Sequence, residues 1–275
     1  MTYQQSFHLR LLLTSDLHRD GKKLLWLLDE APEHDALIIA GDLLDIFSNT
    51  SFVEQKSGAI RWKDTFLKTG KSLAWSSGNH DFFNGDHTPM SAGSPLWMRE
   101  ATSTKDFVTD GESRLLTIGD ERLAVTTLPW PVHGGDLVID GYRTTYLDFT
   151  KNLLRSGKTL QSEEAVPWIV LNHEPPEATP LAGSYTAPEA DFARRMIESA
   201  QPDFSLHGHI HEAPTGRSGS WIWQLGKTVC FNAGQSRPGE LPHYIFLKWR
   251  GLSDWTAVWN GAGRMLRAES SKRET

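Results

Sequence analysis

Six short apolar runs, Leu9–Thr14, Ala36–Ala40, Leu73–Ser76, Leu123–Leu128, Trp168–Leu171 and Val229–Asn232, each stop abruptly at polar or glycine residues. Runs of Leu, Ile and Val at this length, without polar alternation, read as strands buried on both faces. Between the early runs lie helix-like segments, Lys22–Glu30 and Phe52–Lys68, so the N-terminal half has a βαβαβ rhythm. That rhythm predicts a parallel sheet with right-handed crossovers, an α/β fold. Pro188–Ala200 reads as a further helix. In the last third the rhythm changes: Trp221–Gln224, Val229–Asn232, His243–Trp249 and Trp255–Trp259 are short strands spaced by Gly and Pro, as in a meander.

Two stretches, His87–Asp110 and Pro129–Gln161, lack clear periodicity and read as long loops, either lids or surface insertions. Arg264–Thr275 is polar and charged and reads as a frayed tail, leaving one expected domain over residues 1–263.

Composition removes several function classes. With 39% hydrophobic and 23% charged residues, the 275-residue chain can bury a sizeable core, which excludes general disorder. No run approaches the roughly 18 apolar residues of a membrane span, and the N-terminal residues carry no signal-peptide pattern. A cytoplasmic setting is expected. The single Cys230 excludes an internal disulfide and a multi-cysteine zinc site. Twenty-eight Lys and Arg stand against 34 Asp and Glu, a net charge of −6, with no dense basic stretch, which argues against a broad grip on nucleic acid.

Chemistry concentrates at the ends of the apolar runs. Five polar clusters fall there: Asp16-Leu17-His18, Gly41-Asp42, Gly78-Asn79-His80-Asp81, Asn172-His173 and Gly208-His209-Ile210-His211. In open α/β sheets the carboxyl ends of strands line the ligand crevice, so clusters scattered in sequence can converge in space. On an extended chain, residues i and i+2 project to one side; this would bring Asp16 beside His18 and His209 beside His211. Asp16, His18, Asp42, Asn79, His173, His209 and His211 supply seven N and O donors, more than one tetrahedral ion needs. The set suits two divalent ions of manganese, iron, zinc, cobalt or nickel, with Asp42 as the natural bridge. Two such ions about 3.5–4 Å apart can bridge a hydroxide and clamp phosphoryl oxygens in an in-line displacement.

In this order, the five clusters resemble the calcineurin-like metallophosphoesterase superfamily, whose pattern runs D-x-H, G-D, G-N-H-[DE], a lone H, then G-H-x-H. Phe231-Asn232-Ala233-Gly234 is similar to the family's closing Asn-x-Gly segment. The resemblance implies a four-layer αββα sandwich with a dinuclear metal site at the sheet edge. It implies Asp16, His18 and His211 on one ion, Asn79, His173 and His209 on the other, and Asp42 between them. His80 would face the leaving-group oxygen without binding metal, and Asp81 would orient its imidazole.

Departures from the family pattern narrow the substrate. Protein phosphatases of the superfamily carry an Arg soon after the second Asp, whereas here Asp42 precedes Leu43-Leu44-Asp45-Ile46-Phe47. Small-substrate diesterases show His-His-Pro-Pro around the lone histidine, which Asn172-His173-Glu174-Pro175-Pro176 approaches. The expectation is a phosphoesterase acting through a metal-bridging hydroxide on small or nucleotide-like phosphodiesters. The alternatives are a phosphomonoesterase, a nuclease of the same fold, or a non-catalytic interaction scaffold such as the retromer subunit. Arg19 is a candidate phosphate contact. His207, His8, His34, His87, His133 and His243 are left outside the ligand set, and no Trp is given a role.

Overall fold

The computed structural model describes residues 8–82, 95–130, 136–139, 142–238, 240–251 and 254–270. The N-terminal part runs β1 (Leu9–Thr14), α1 (Gly21–Asp29), β2 (Ala36–Ala40), α2 (Phe52–Leu67), β3 (Ser72–Ser76), α3 (Leu96–Arg99) and β4 (Phe107–Val108). It continues through β5 (Ser113–Ile118), β6 (Glu121–Leu128), β7 (Asp136–Ile139), β8 (Tyr142–Thr145), α4 (Tyr146–Glu164) and β9 (Trp168–Asn172). The remainder comprises α5 (Pro188–Ala200), β10 (Phe204–His207), β11 (Ile222–Leu225), β12 (Thr228–Asn232), β13 (Tyr244–Gly251), β14 (Asp254–Gly261) and β15 (Arg264–Glu269).

Helix starts follow from local chemistry. Asp20 caps α1, its Oδ1 accepting from the Lys22 N–H at 2.9 Å, and Ser51 with Glu54 forms a capping box on α2. Pro188 opens α5, where its missing N–H costs nothing.

The strands form a seven-stranded sheet, ordered β15-β14-β13-β1-β2-β3-β4, and a six-stranded sheet, ordered β11-β12-β10-β9-β6-β5, with β7 and β8 as a separate hairpin. β1, β2 and β3 are parallel neighbours, as are β6, β9, β10 and β12. The sheets share one core: Leu11, Leu13, Ile38 and Leu247 of the first meet Val125, Ile169, Leu206 and Phe231 of the second. On the outer face of the first sheet, Leu12, Leu37 and Trp75 pack against Trp26, Trp62 and Phe66 of α1 and α2. On the outer face of the second, Trp168 and Val170 pack against Leu154 of α4 and Ile197 of α5. This is the expected four-layer αββα arrangement. No described helix is long and apolar enough to cross a membrane.

Three stretches differ from expectation. Pro129–Gln161 is not a long loop: it holds β7, β8 and most of α4. Gly157 weakens the helix signal there, but a Cβ at this position would clash with Thr126 and lie 2.6 Å from Trp168 Nε1, so glycine lets α4 lie close on the second sheet. The described part of His87–Asp110 likewise contains α3 and β4. Arg264–Glu269 is not frayed but pairs antiparallel with β14 from Thr256 to Gly261; residues 271–275 lie outside the described residues.

Candidate metal centre

Each polar cluster lies just past a strand end. Asp16 follows β1, Asp42 follows β2, His173 follows β9 and His209 follows β10, while Asn79–Asp81 form one 3₁₀ turn after β3. The first sheet therefore presents Asp16, His18, Asp42 and Asn79, and the second presents His173, His209 and His211. Convergence does not come from extended alternation, as expected, but from left-handed backbone: φ is +54° at Asp16, +45° at His18, +54° at Asp42 and +65° at His209. Such conformations cost free energy in non-glycine residues and gather at functional sites. Backbone bonds hold them, with Asp16 N–H donating to Gly41 O at 3.1 Å and His18 N–H to Asp42 O at 2.9 Å. Gly41, at φ +79°, lies so close to the His173 ring that any Cβ there would clash with it.

Asp16, His18, Asp42 and His211 offer donor atoms that all lie within 4.8 Å of one another. His211 Nε2 is 3.2 Å from Asp16 Oδ1 and 3.5 Å from His18 Nε2. On the other side, His173 Nε2 is 3.3 Å from Asp42 Oδ2 and 3.8 Å from Asp16 Oδ1, and His209 Nδ1 is 2.9 Å from Asn79 Oδ1. Asp42 Oδ2 also lies 3.8 Å from His18 Nε2, so one carboxylate oxygen faces both groups. Among the described residues, three buried atoms of this cluster, Asp16 Oδ2, His18 Nδ1 and His173 Nε2, make no well-formed hydrogen bond. Buried lone pairs left unpartnered are costly unless something else satisfies them, and a cation does so.

Electrostatics point the same way. Burial would lower the His173 imidazole, yet Asp42 and Asp16 raise it to about 10. Burial would raise the Asp16 carboxyl, yet His173 and His211 hold it well below the usual range. The two carboxylates thus make a buried place where positive charge is stabilised. His209, whose ring lies 5.5 Å from that of His173, is pushed down to about 4 by burial and by the neighbouring His173.

The expectation for Asp81 is corrected. Its carboxylate does not meet the His80 ring; it accepts the N–H groups of Asp42 at 3.0 Å, Leu44 at 3.0 Å and Gly78 at 2.8 Å, tying the β2 and β3 loops together. Burial and the neighbouring Asp42 push it up to about 8. The acidic group beside the His80 imidazole is Asp45, with Oδ1 3.6 Å from Nδ1. Asp45 could have been found as the one carboxylate in the Leu43–Phe47 stretch.

Other contributors carried weaker sequence signals. Asn232 donates through Nδ2 to Gly208 O at 3.2 Å and Ile210 O at 3.3 Å, bracing the turn that carries His209 and His211. The Trp130 ring lies 5.0 Å from His209 and 5.4 Å from His173, and Tyr185 lies 5.2 Å from His209. Trp130 follows β6 much as the clusters follow their strands. Lys23, buried on α1, donates to Ser236 O at 3.1 Å, and burial lowers its ammonium. Arg19 lies beside Gly58 of α2.

Of the histidines left aside, His207 is buried with Nδ1 against Asn172 O and Glu174 O, both at 2.9 Å. His34 bonds Pro32 O, His243 Nε2 accepts from Ala262 N–H, and His8 is exposed. His87 and His133 lie outside the described residues.

Comparison with known proteins agrees with this arrangement. The chain is similar in structure to the protein TT1561 of Thermus thermophilus, at TM-score 0.52 and 15% identity, over 96% of this chain and 100% of that one. It is also similar to the NAD nucleotidase NadN of Haemophilus influenzae, at TM-score 0.53 and 10% identity, over 98% of this chain but 50% of the nucleotidase. At such identities the likeness is one of fold. No curated protein sequence matches it. The calcineurin-like phosphoesterase profile matches residues 9–213, most of the chain and all five clusters, and the protein belongs to that family.

Proposed function

We propose that this protein is a dinuclear metal-dependent phosphoesterase that hydrolyses phosphodiesters of small or nucleotide-like molecules. The observation that carries the reading is Asp42 Oδ2, which faces His18 on one side at 3.8 Å and His173 on the other at 3.3 Å. Asp16, His18 and His211 would hold one ion, Asn79, His173 and His209 the other, and Asp42 would serve both. Carboxylate, amide and imidazole donors suit divalent first-row ions. When bound, two such ions supply an activated water and offset charge on the phosphoryl oxygens.

The remaining steps belong to the chain's own groups. His80 carries a proton to the departing oxygen from Nε2, while its Nδ1 is held by the Ile46 N–H at 3.4 Å with Asp45 Oδ1 alongside at 3.6 Å. Asp81 keeps Asp42 and the Asn79 turn in register through its three backbone bonds. The left-handed turns hold donors close together before any substrate arrives, the preorganisation that electrostatic catalysis needs.

A diester fits the charge arrangement. A dianionic monoester gains from additional Arg or Lys contacts. Here Arg19 lies beside α2 and the Lys23 ammonium is bonded to Ser236 O. The test is a substrate panel with manganese, iron, zinc, cobalt and nickel added in turn. We expect kcat/KM for bis(4-nitrophenyl) phosphate to exceed that for 4-nitrophenyl phosphate; the reverse order at saturating metal would make the protein a monoesterase.

A further inference from the structure

Phe47 is 82% exposed, yet its backbone is closely held. Its N–H donates to Asp45 Oδ1 at 2.9 Å, and the Ser48 N–H donates to Asp45 O at 3.2 Å. Asp45 is in turn clamped by the fully buried Gln55 of α2, which accepts the Asp45 N–H at 2.9 Å and donates to Asp45 O and Thr50 O, both at 3.0 Å. Single exposed apolar side chains are common and usually mean nothing. What distinguishes Phe47 is position: its ring meets His80 edge-on, 5.3 Å between centroids at 76°, and His80 itself packs on His18 at 4.4 Å. The centre is thus bordered by Phe47 beside His80 and by Trp130 and Tyr185 beside His209.

We infer that Phe47 determines substrate specificity by receiving a planar aromatic group, a nucleobase or an aryl ring, carried on the departing alcohol. This rests on the phosphoesterase reading, in which His80 faces the leaving oxygen. A loop whose backbone is already held makes the contact at lower entropic cost, because the main chain need not be ordered on binding. Stacking of a base on an aromatic side chain is tolerant of sequence and commonly worth on the order of 10-fold or more in affinity.

The test compares uridine 5′-methyl phosphate diester with its abasic ribose counterpart, which have the same 5′-oxygen as leaving group, by following release of uridine or the sugar. Wild type should favour the base-bearing diester by on the order of 10-fold in kcat/KM. Phe47→Ala should bring that ratio close to one, and Phe47→Trp should restore it. Metal content and melting temperature are measured on each variant, so a folding defect is separated from lost recognition. A second pair, benzyl and cyclohexylmethyl methyl phosphate, separates the two sources: a benzyl preference extends recognition to aryl groups, and its absence confines recognition to nucleobases. Equal rates on the uridine and abasic diesters, or a ratio unchanged in Phe47→Ala, would overturn the inference and leave the phosphoesterase reading standing. A metal-loaded wild type inactive on every diester, bis(4-nitrophenyl) phosphate included, would overturn the inference and the diester reading together.

Discussion

β1, β2 and β3 run parallel and are buried at nearly every position, whereas β13, β14 and β15, on the other arm of the same sheet, run antiparallel and alternate or lie exposed. The parallel arm is covered by the second sheet on one face and by α1 and α2 on the other. Its strands have no room for polar side chains, so polar residues appear only at the ends. Parallel strands joined by helices also place every carboxyl end on one edge. Asp16, Asp42 and Asn79 meet for that reason. The antiparallel arm returns by hairpins, its turns fall on both edges by alternation, and it contributes none of the candidate ligands. Position within one sheet therefore separates residues that can do chemistry from residues that complete the layer.

The sharpest test of this difference is Asp42→Ala, at the end of β2. Elemental analysis should show loss of most of both ions, with activity falling by roughly 10³-fold or more, because one carboxylate serves both groups of donors. Full metal occupancy in this variant would remove the bridging role.

His80→Ala should behave differently, retaining both ions while kcat falls by about 10²–10⁴-fold, the usual share of a general acid. Asn79→Ala, one residue away, should instead weaken the ion held with His173 and His209. An exchange of these two phenotypes would invert the assignments.

Two carboxylates on the parallel arm can be separated in the same way. Asp45→Asn is expected to lower kcat by about 10-fold at unchanged melting temperature, since it removes the carboxylate charge 3.6 Å from His80 Nδ1. Asp81→Asn is expected to lower stability by about 1–3 kcal/mol, because an amide cannot accept from all three backbone donors without presenting its own N–H to one of them. A stable Asp81→Asn variant with a large kcat defect would return the orienting role to Asp81.

The smallest effect is expected on the antiparallel arm. Met265 of β15 is 70% exposed, so Met265→Ser should change stability by no more than about 0.5 kcal/mol and leave activity unaltered. A loss of activity there would mean that this arm shapes the centre after all.

Local patterns were legible where burial alone dictates the residue. β1, β2 and α5 have the bounds their apolar or amphipathic patterns predict, because a strand covered on both faces or a helix with one apolar face announces itself without its neighbours. β15 did not announce itself: nearly all its positions are exposed, and only pairing with β14 makes it a strand. α4 was masked by Gly157, whose purpose is visible only against Trp168 of the second sheet.

The same division holds at the centre. The donor types, their order and their places at strand ends can be read along the chain, since each depends on residues a few positions apart. Which groups meet is set by packing: that Asp45 rather than Asp81 lies beside His80, that left-handed turns rather than extended alternation aim Asp16, His18, Asp42 and His209, and that Phe47, Trp130 and Tyr185 border the site. These are contacts between loops brought together by two packed sheets, and spacing along the chain holds no record of a distance set by packing across it.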